Sequence, residues 1–200
     1  AIVEVRRGLE VVSVGKAVDG LICTVRTPDG LVDDGAVGEI CIEADFLFDG
    51  YYRDPATTAE RLRDGVYWTR DEGFIIDGEL FILGRKDDVI VINGRNIYAH
   101  EIETLLLGVE GLKAGRAVAF GMFDQNVGSN VMVIVAETAE PVLDEALQKR
   151  MERQVVELVN SVVSVVPADV RLVGTGWLTK TSSGKVSRSE NQKKYVREFA

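Results

Sequence analysis

The hydrophobic pattern of this sequence changes once along its length, near residue 84, and this change constrains the fold more than any other feature. Before it, apolar residues form short runs between turn residues, as in LICTVRTPDG and GEICIEAD. In the second run Ile40, Ile42 and Ala44 alternate with Cys41 and Glu43, which is the period of a β-strand. After residue 84, strand-like runs alternate with helical stripes. The sequence therefore predicts an α+β fold in two parts: a β-rich part, then a small sheet flanked by helices.

Local signals place three elements in the first part. A Pro-Asp-Gly turn lies at residues 28–30. The segment DPATTAERL predicts a short helix, because Asp54 can cap it and Pro55 suits its first position. The pair Asp77 and Gly78 between two apolar runs predicts a β-hairpin, since both residues tolerate positive φ.

In the second part the predicted order is strand, helix, strand, strand, helix, strand. The strands are DVIVING, GRAVAFG, VMVIVAE and VRLV. Both helices show the apolar stripe of a core-facing helix. The first carries Ile102, Leu105, Leu106 and Val109; the second begins near Pro141 and carries Leu143, Leu147, Met151, Val155, Leu158 and Val162. A capping box formed by Ser187 and Glu190 predicts a final helix.

Composition excludes several classes of function. With 46% hydrophobic residues the chain can fold into one or two modest domains, and its net charge of −9 argues against a nucleic-acid partner. The only cysteines, Cys23 and Cys41, form no metal-binding motif, so we expect no metal site in this chain and a reducing cytoplasm. No apolar run reaches membrane-spanning length, so we expect no integral membrane segment.

The segment TKTSSGKVSR presents a lysine behind a glycine just before the final helix, as phosphate-binding loops do. It is not a P-loop, because Thr179 stands where the first glycine belongs and Val186 follows Lys185. From these residues alone a solvated connecting loop stays the open alternative.

Three stretches taken in order carry a resemblance: GYYRDPATTAERL, then GVYWTRDEGFIIDGELFILGRKDDVIVINGRNIYAHEIE, then KTSSGKVSR. They resemble the motifs of the adenylate-forming enzymes, which include acyl-CoA synthetases, fatty-acyl-AMP ligases, luciferases and peptide-synthetase adenylation domains. The matched motifs cover most of residues 14–188. The resemblance implies that residues 1–84 are the β-rich end of a large, incomplete adenylation domain. Residues 85–88 would be a hinge and 89–200 a small C-terminal lid domain.

The resemblance also implies roles for four residues. Asp71 would accept hydrogen bonds from the ribose hydroxyls of ATP, and Arg85 would reach ribose or phosphate oxygens. Asp87 would be the hinge about which the lid domain rotates. Lys185 would be the catalytic lysine that contacts the acyl carboxylate and the α-phosphate, lowering their repulsion during attack. The alternatives are an Asp71 that caps a turn, a surface ion pair from Arg85 to a neighbouring aspartate, and an ordinary turn aspartate at position 87.

The loop at Gly94, Arg95 and Asn96 would line the tunnel for the acceptor thiol. INGRNIYAHEIE is more similar to the loop of fatty-acyl-AMP ligases than to that of many coenzyme A ligases, so coenzyme A and an acyl carrier protein both stay open as acceptors. For His100, the only histidine, a capping or surface role is expected.

Two substitutions and an absence depart from the family pattern. Arg70 stands where a glycine is usual, and Thr179 replaces a proline, which predicts a less stiff loop. The family's phosphate loop and its adenine-binding and magnesium-binding motifs are not visible. We therefore expect a part of a longer ligase that uses ATP, Mg²⁺, a carboxylic acid and in some cases coenzyme A, and that is inactive on its own.

A hypothesis of another class is a non-catalytic α+β interaction or regulatory module. In that case Asp71, Arg85 and Lys185 need not act together. The ligase interpretation is preferred because independent motifs occur in the family's order.

Overall fold

A computed structural model of the protein describes residues 1–6, 9–139 and 144–199. The chain forms two compact units, Ala1–Asp87 and Asp88–Ala200. The division lies inside the predicted hinge at residues 85–88. Each unit is built around its own sheet.

The first unit is an antiparallel sheet with one short helix. Its elements are β1 (Ile2–Arg6), β2 (Leu9–Gly15), β3 (Ile22–Thr27), β4 (Gly30–Leu31), β5 (Gly38–Glu43), α1 (Pro55–Arg61), β6 (Leu62–Arg63), β7 (Val66–Ile76) and β8 (Glu79–Arg85). The strands lie in the order β1-β2-β8-β7-β5-β3-β4, and β6 pairs with β7. Strand β7 is thus central, with β8 and β5 on either side.

The local predictions for this unit are confirmed. Asp54 caps α1 by accepting a hydrogen bond from Thr57 N at 3.0 Å, and Pro55 is the first helical residue. Asp77 and Gly78 turn between β7 and β8 with φ of 53° and 76°. The alternation in β5 does not separate a buried face from a solvent face, because Cys41 is as buried as Ile40 in this interior strand.

Among its described residues, the second unit contains a three-stranded sheet, a separate hairpin and three helices. Its elements are β9 (Val89–Ile92), β10 (Arg95–Tyr98), α2 (Ala99–Leu105), β11 (Leu112–Asp124), β12 (Ser129–Thr138), α3 (Glu145–Val163), β13 (Asp169–Val173) and α4 (Arg188–Phe199). Strand β12 is central, antiparallel to β11 and parallel to β13. Strands β9 and β10 pair only with each other among the described strands. A 3-10 turn at Lys86–Asp88 precedes β9.

Helices cover both faces of this sheet, as the sequence predicted. Successive strand residues point to opposite faces. Ala119 and Ile134 therefore pack with α2 and α3, whereas their neighbours Val118 and Val135 pack in a second cluster with Tyr195 of α4. The three-stranded sheet is thus the middle layer of the unit.

The helix boundaries differ from the prediction in two places. Helix α2 ends at Leu105, and Leu106 lies in a 3-10 turn, so the predicted helix was too long. The tighter turn still buries Leu106 and Val109. The predicted start of the second helix near Pro141, and Leu143 with it, lies outside the described residues; α3 as described begins at Glu145, capped by Asp144.

The buried stripe of α3 also differs at its C-terminal end. Met151 and Val155 are buried as predicted, but the stripe continues through Val159 and Val163. Leu158 and Val162 are only half-buried. Steps of four residues follow one row along a helix, and the prediction left that row after Val155. No helix among the described residues is long and apolar enough to cross a membrane.

Candidate functional site

Asp71 and Arg85 face each other on neighbouring strands. They are register partners on β7 and β8, and Arg85 Nε donates a hydrogen bond to Asp71 Oδ1 at 2.9 Å. A bulge follows at residues 72 and 73, where the strands approach so closely that a Cβ on Gly73 would lie 2.2 Å from the carbonyl oxygen of Phe81. The sheet thus places a carboxylate and a guanidinium together at the open end of the β7–β8 hairpin, where Arg85 is the last residue of β8.

The turn before Asp71 is fixed by buried groups. Thr69 Oγ1 donates to the Ile40 carbonyl at 2.8 Å and accepts from Asp71 N at 3.0 Å. Arg70 has φ of 67°, the left-handed conformation that costs about 1 kcal/mol for a residue with a Cβ. Its N–H donates to Glu39 Oε1 at 2.9 Å. This conformation explains why a glycine is usual at position 70.

Glu39 connects that turn to the predicted hinge. Its side chain is 6% exposed, and its other oxygen accepts from Lys86 Nζ at 2.8 Å. The guanidinium of Arg70 forms an ion pair with Asp87, and this partner lowers the pKa of the Asp87 carboxyl. Asp87 therefore pairs with Arg70, while Arg85 donates a hydrogen bond to Asp71.

Lys185 lies in the second unit, at the end of a tight hairpin. Lys180 and Val186 form a β-bridge, Thr181 N donates to the Lys185 carbonyl at 2.8 Å, and Gly184 N donates to the Thr181 carbonyl at 2.9 Å. Gly184 has φ of 84°. The lysine side chain is exposed. The backbone around Lys185 is thus ordered by its own hydrogen bonds.

A buried ion pair holds the entrance to this hairpin. Glu137 is fully buried and accepts from Arg116 Nε at 2.8 Å and from Leu178 N at 2.8 Å. Arg116 Nη2 donates to the Leu178 carbonyl at 3.1 Å. Burial raises the pKa of Glu137, but Arg116 and the backbone N–H groups outweigh it, so the pKa is lowered overall. Both polar groups of the Leu178 backbone are therefore bound by side chains.

Asn191 on α4 does the same for the next residue. It is fully buried; its Oδ1 accepts from Thr179 N at 2.8 Å, and its Nδ2 donates to the Thr179 carbonyl at 2.9 Å and the Ser187 carbonyl at 2.7 Å. A proline at position 179 has no N–H to make the first of these bonds. The threonine thus gains a specific anchor where the family usually has a stiff residue.

Arg188 binds three parts of the second unit at the start of α4. Its Nε donates to the Ala119 carbonyl at 3.0 Å, its Nη2 pairs with Glu103 at 2.8 Å, and its Nη1 pairs with Asp88. Burial raises the pKa of Glu103, against the effect of Arg188. Desolvation and Arg188 lower the pKa of His100, against Asp88. A groove of about 450 Å³ is lined by Asp88, His100, Glu103 and Arg188 together with Gly184, Lys185 and Val186.

The predicted thiol-tunnel residues lie on the β9–β10 hairpin. Asn93 and Gly94 form its turn with φ of 50° and 74°, and Arg95 and Asn96 are exposed on β10. The Asn-Gly pair is a strong hairpin signal that the sequence interpretation did not use. Glu39, Asn191 and Arg188 were also missed as site residues; an acid inside the apolar run GEICIE was the signal for the first of them.

The predicted residues thus fall into two groups by position in the chain. Asp71, Arg85 and Asp87 belong to the first unit, and Lys185 and the β9–β10 turn to the second. Within the described residues, no group of three or more histidine, cysteine, aspartate or glutamate side chains is placed to hold a metal ion.

Known proteins resemble this chain over most of its length. It is 32% identical to the long-chain-fatty-acid–AMP ligase FadD26 of Mycobacterium tuberculosis, over 94% of this chain and 34% of that protein. It is 35% identical to a Caulobacter vibrioides protein named "Putative acyl-CoA synthetase", over 91% of this chain and 32% of that protein. No protein-family model matches the sequence.

The fold also matches solved structures. A structure from studies of fatty acyl-adenylate ligases from E. coli and L. pneumophila superposes with a TM-score of 0.80 at 28% identity, over 96% of this chain and 34% of that one. This chain therefore spans about a third of the length of the curated relatives it matches.

Proposed function

Since this chain is a C-terminal part of an adenylate-forming enzyme of the acyl-CoA synthetase and fatty-acyl-AMP ligase family, we propose that the longer protein activates a fatty acid with ATP. A carboxylate oxygen attacks the α-phosphorus, the bond to the β-phosphate breaks, and pyrophosphate leaves. A thiol then attacks the acyl carbonyl of the adenylate, and AMP leaves as the thioester forms. The non-catalytic module is disfavoured, because both relatives named above are called ligases or synthetases.

The observation that carries this proposal is the ordering of the Lys185 hairpin. An amino group that bridges two anions must be held where they meet, because a mobile chain loses this advantage to entropy. The β-bridge at residues 180 and 186 and the side-chain bonds to Leu178 and Thr179 fix the backbone on which Lys185 stands. Its ammonium group would stabilise the negative charge that builds on the phosphoryl oxygens.

Asp71 and Arg85 would bind the nucleotide as a unit. A carboxylate offers about four acceptor positions, so Asp71 can accept ribose hydroxyls beside the bond from Arg85 Nε. Arg85 is 63% exposed, and the forked donors of a guanidinium suit ribose or phosphate oxygens. Their pairing keeps both side chains oriented before ATP arrives.

Asp87 would be the hinge of a lid domain that starts with the second unit, in line with the division of the chain after this residue. The β9–β10 turn at Gly94, with Arg95 and Asn96, would then approach the acceptor thiol. Coenzyme A and an acyl carrier protein both offer a pantetheine thiol, so the same loop suits either acceptor. Magnesium would arrive with ATP, and no group of three or more histidine, cysteine, aspartate or glutamate side chains among the described residues is placed to hold it. We place the reaction in the cytoplasm, where ATP is present and Cys23 and Cys41 stay free.

The test is pyrophosphate release by the longer ligase with ATP, Mg²⁺ and a panel of fatty acids. Lys185→Ala should lower acyl-adenylate formation by about 10²- to 10³-fold, the range for removing one transition-state donor. Lys180→Ala is the matched control, because it removes an exposed lysine of the same hairpin, and it should stay near the wild-type rate. Equal rates for both variants would refute the role of Lys185.

Two further arms complete the test. Adding coenzyme A or a phosphopantetheine-bearing carrier protein identifies the acceptor by the thioester that forms. The 200-residue chain alone should show no ATP–pyrophosphate exchange, and exchange with any fatty acid would contradict our proposal that it needs the rest of the ligase.

A further inference from the structure

Two arginines hold the two consecutive aspartates at which the chain divides. Asp87, the last residue of the first unit, pairs with Arg70, whose Nη2 and Nε both reach its carboxylate. Asp88, the first residue of the second unit, pairs with Arg188. Each aspartate is thus bound to the unit to which it belongs.

In the first unit, the contacts that hold Asp87 lead to a buried residue of the sheet. Arg70 is anchored through its own N–H to Glu39, and the same buried carboxylate binds Lys86. Lys86 and Asp87, the two residues before the division, are therefore both fixed to one buried acid, directly or through Arg70. A glycine at position 70 would keep the backbone bond to Glu39 and lose the ion pair to Asp87.

On the second side, Arg188 joins Asp88 to two other elements. The same guanidinium binds Glu103 on α2 and the carbonyl of Ala119 on β11. Arg188 begins the helix that follows the Lys185 hairpin, three residues after Lys185. The first residue after the division is thus tied to the strand and helix against which that hairpin is built.

We propose that Arg70 and Arg188 are positioning residues that confine the pivot to the single link between Asp87 and Asp88. This inference rests on the proposed hinge role of Asp87. Because ion pairs hold the residues on both sides of this link, a rotation of the lid domain changes mainly two backbone angles, ψ of Asp87 and φ of Asp88. The lid domain then turns about one defined axis, and Arg188 transmits that turn to the backbone that carries Lys185.

The two clamps differ in strength. The Arg70 and Asp87 side chains are 33% and 51% exposed, and ion pairs of this kind shift an equilibrium by about two- to fivefold. The Arg188 and Asp88 side chains are 20% and 32% exposed, and Arg188 has two more partners. Loss of the Arg70 clamp should therefore loosen the hinge without unfolding either unit, which makes Arg70 the residue to test.

The experiment measures hydrogen exchange of the hinge peptide, residues 84–90, in the longer ligase. Arg70→Gly and Arg70→Asn both suit the left-handed backbone and both remove the guanidinium. Each should speed exchange in that peptide about two- to fivefold, while Arg70→Lys, which keeps a charge, should restore part of the protection. Arg53→Gly is the matched control, because Arg53 is also an arginine with positive φ, at 54°, and its side chain is exposed.

Activity provides a second readout. Loosening the pivot should change the ratio of acyl-adenylate formation to thioester formation, whereas general destabilisation would lower both rates together. Unchanged exchange in both Arg70 variants, or an equal rise in Arg53→Gly, would overturn the proposal. Absence of pyrophosphate release by the wild-type ligase with every fatty acid tested would instead refute the proposed function, and the exchange data would still report on the clamp.

Discussion

Replacing Asn191 by alanine should destabilise the second unit far more than an ordinary asparagine substitution on a helix. The side chain is fully buried and makes three hydrogen bonds, at 2.8, 2.9 and 2.7 Å. Both carbonyls that lose the Asn191 side chain keep a second partner, because Ser187 N donates to Thr179 O and Asn191 N donates to Ser187 O. Only the Thr179 N–H loses its side-chain acceptor outright.

The expected loss follows from these contacts. Two lost hydrogen bonds with a remaining partner contribute about 0.5–1.5 kcal/mol each, and an orphaned donor about 1–3 kcal/mol. We therefore expect the free energy of unfolding to fall by about 2–6 kcal/mol. Asn160→Ala is the control: this asparagine is exposed on α3, and alanine has the higher helix propensity, so its effect should stay within about 0.5 kcal/mol.

Urea unfolding of the 200-residue chain can measure this difference. In a Trp68→Phe background Trp177 is the only tryptophan, and it lies against α4, with Lys194 Nζ 4.2 Å from its ring centroid. Its fluorescence therefore reports on the second unit. A loss below about 1 kcal/mol for Asn191→Ala, or one equal to that of Asn160→Ala, would show that the anchor at Thr179 contributes little to the stability of the unit.

Three more predictions concern buried groups. Gly73→Ala should destabilise the first unit by about 1–3 kcal/mol in thermal unfolding, because its Cβ would overlap a carbonyl of the facing strand, whereas Gly108→Ala, which meets nothing within 4 Å, should not. Glu137→Gln should cost about 3 kcal/mol at pH 7, since it removes the carboxylate charge that neutralises the largely buried Arg116. The folded-state pKa of Glu137 lies below its ordinary 4.5, so its contribution is present above pH 4.5 and is lost as the pH falls through the folded value; the variant should show a flatter acid limb in pH-dependent unfolding. Cys41, fully buried and with a pKa raised by burial to about 11, should react with iodoacetamide at pH 8 more slowly than the half-buried Cys23, and equal labelling by mass spectrometry would contradict this.

The sequence predicted those elements whose determinants lie within a few residues of one another. The cap at Asp54 and the turn at Asp77 and Gly78 need only adjacent residues, and both are observed. The same logic applied to Asn93 and Gly94 would have predicted the β9–β10 hairpin, which was missed because the following residues were considered only as a loop. The prediction of where α2 ends was wrong, because an apolar stripe does not distinguish an α-helix from a helix that tightens into a 3-10 turn.

The supports of the site could not be predicted, because their partners are distant in sequence. The bond between Arg70 and Glu39 spans 31 residues, and the one between Arg188 and Glu103 spans 85. The residues next to either arginine in the sequence do not predict which acidic residue it contacts. Motif resemblance identified Asp71, Arg85 and Lys185 as candidates, but it contains no information on the buried acids and amides that hold the backbone around them.

The hydrogen bonds of Leu178 and Thr179 determine where the protein can tolerate insertions and deletions near Lys185. A strand in a regular ladder can slip by two residues and recover equivalent hydrogen bonds. Here each of the four backbone groups is bound by an individual side chain, from Glu137, Arg116 or Asn191, so no shifted alignment recovers the same partners. Insertions or deletions among residues 181–184 would change the end of the Lys185 hairpin and keep the hydrogen bonds of Leu178 and Thr179. The same change before Leu178 would move these two residues away from their side-chain partners. Leu178 and Thr179 are therefore fixed in place, and variation in the Lys185 hairpin is confined to residues 181–184.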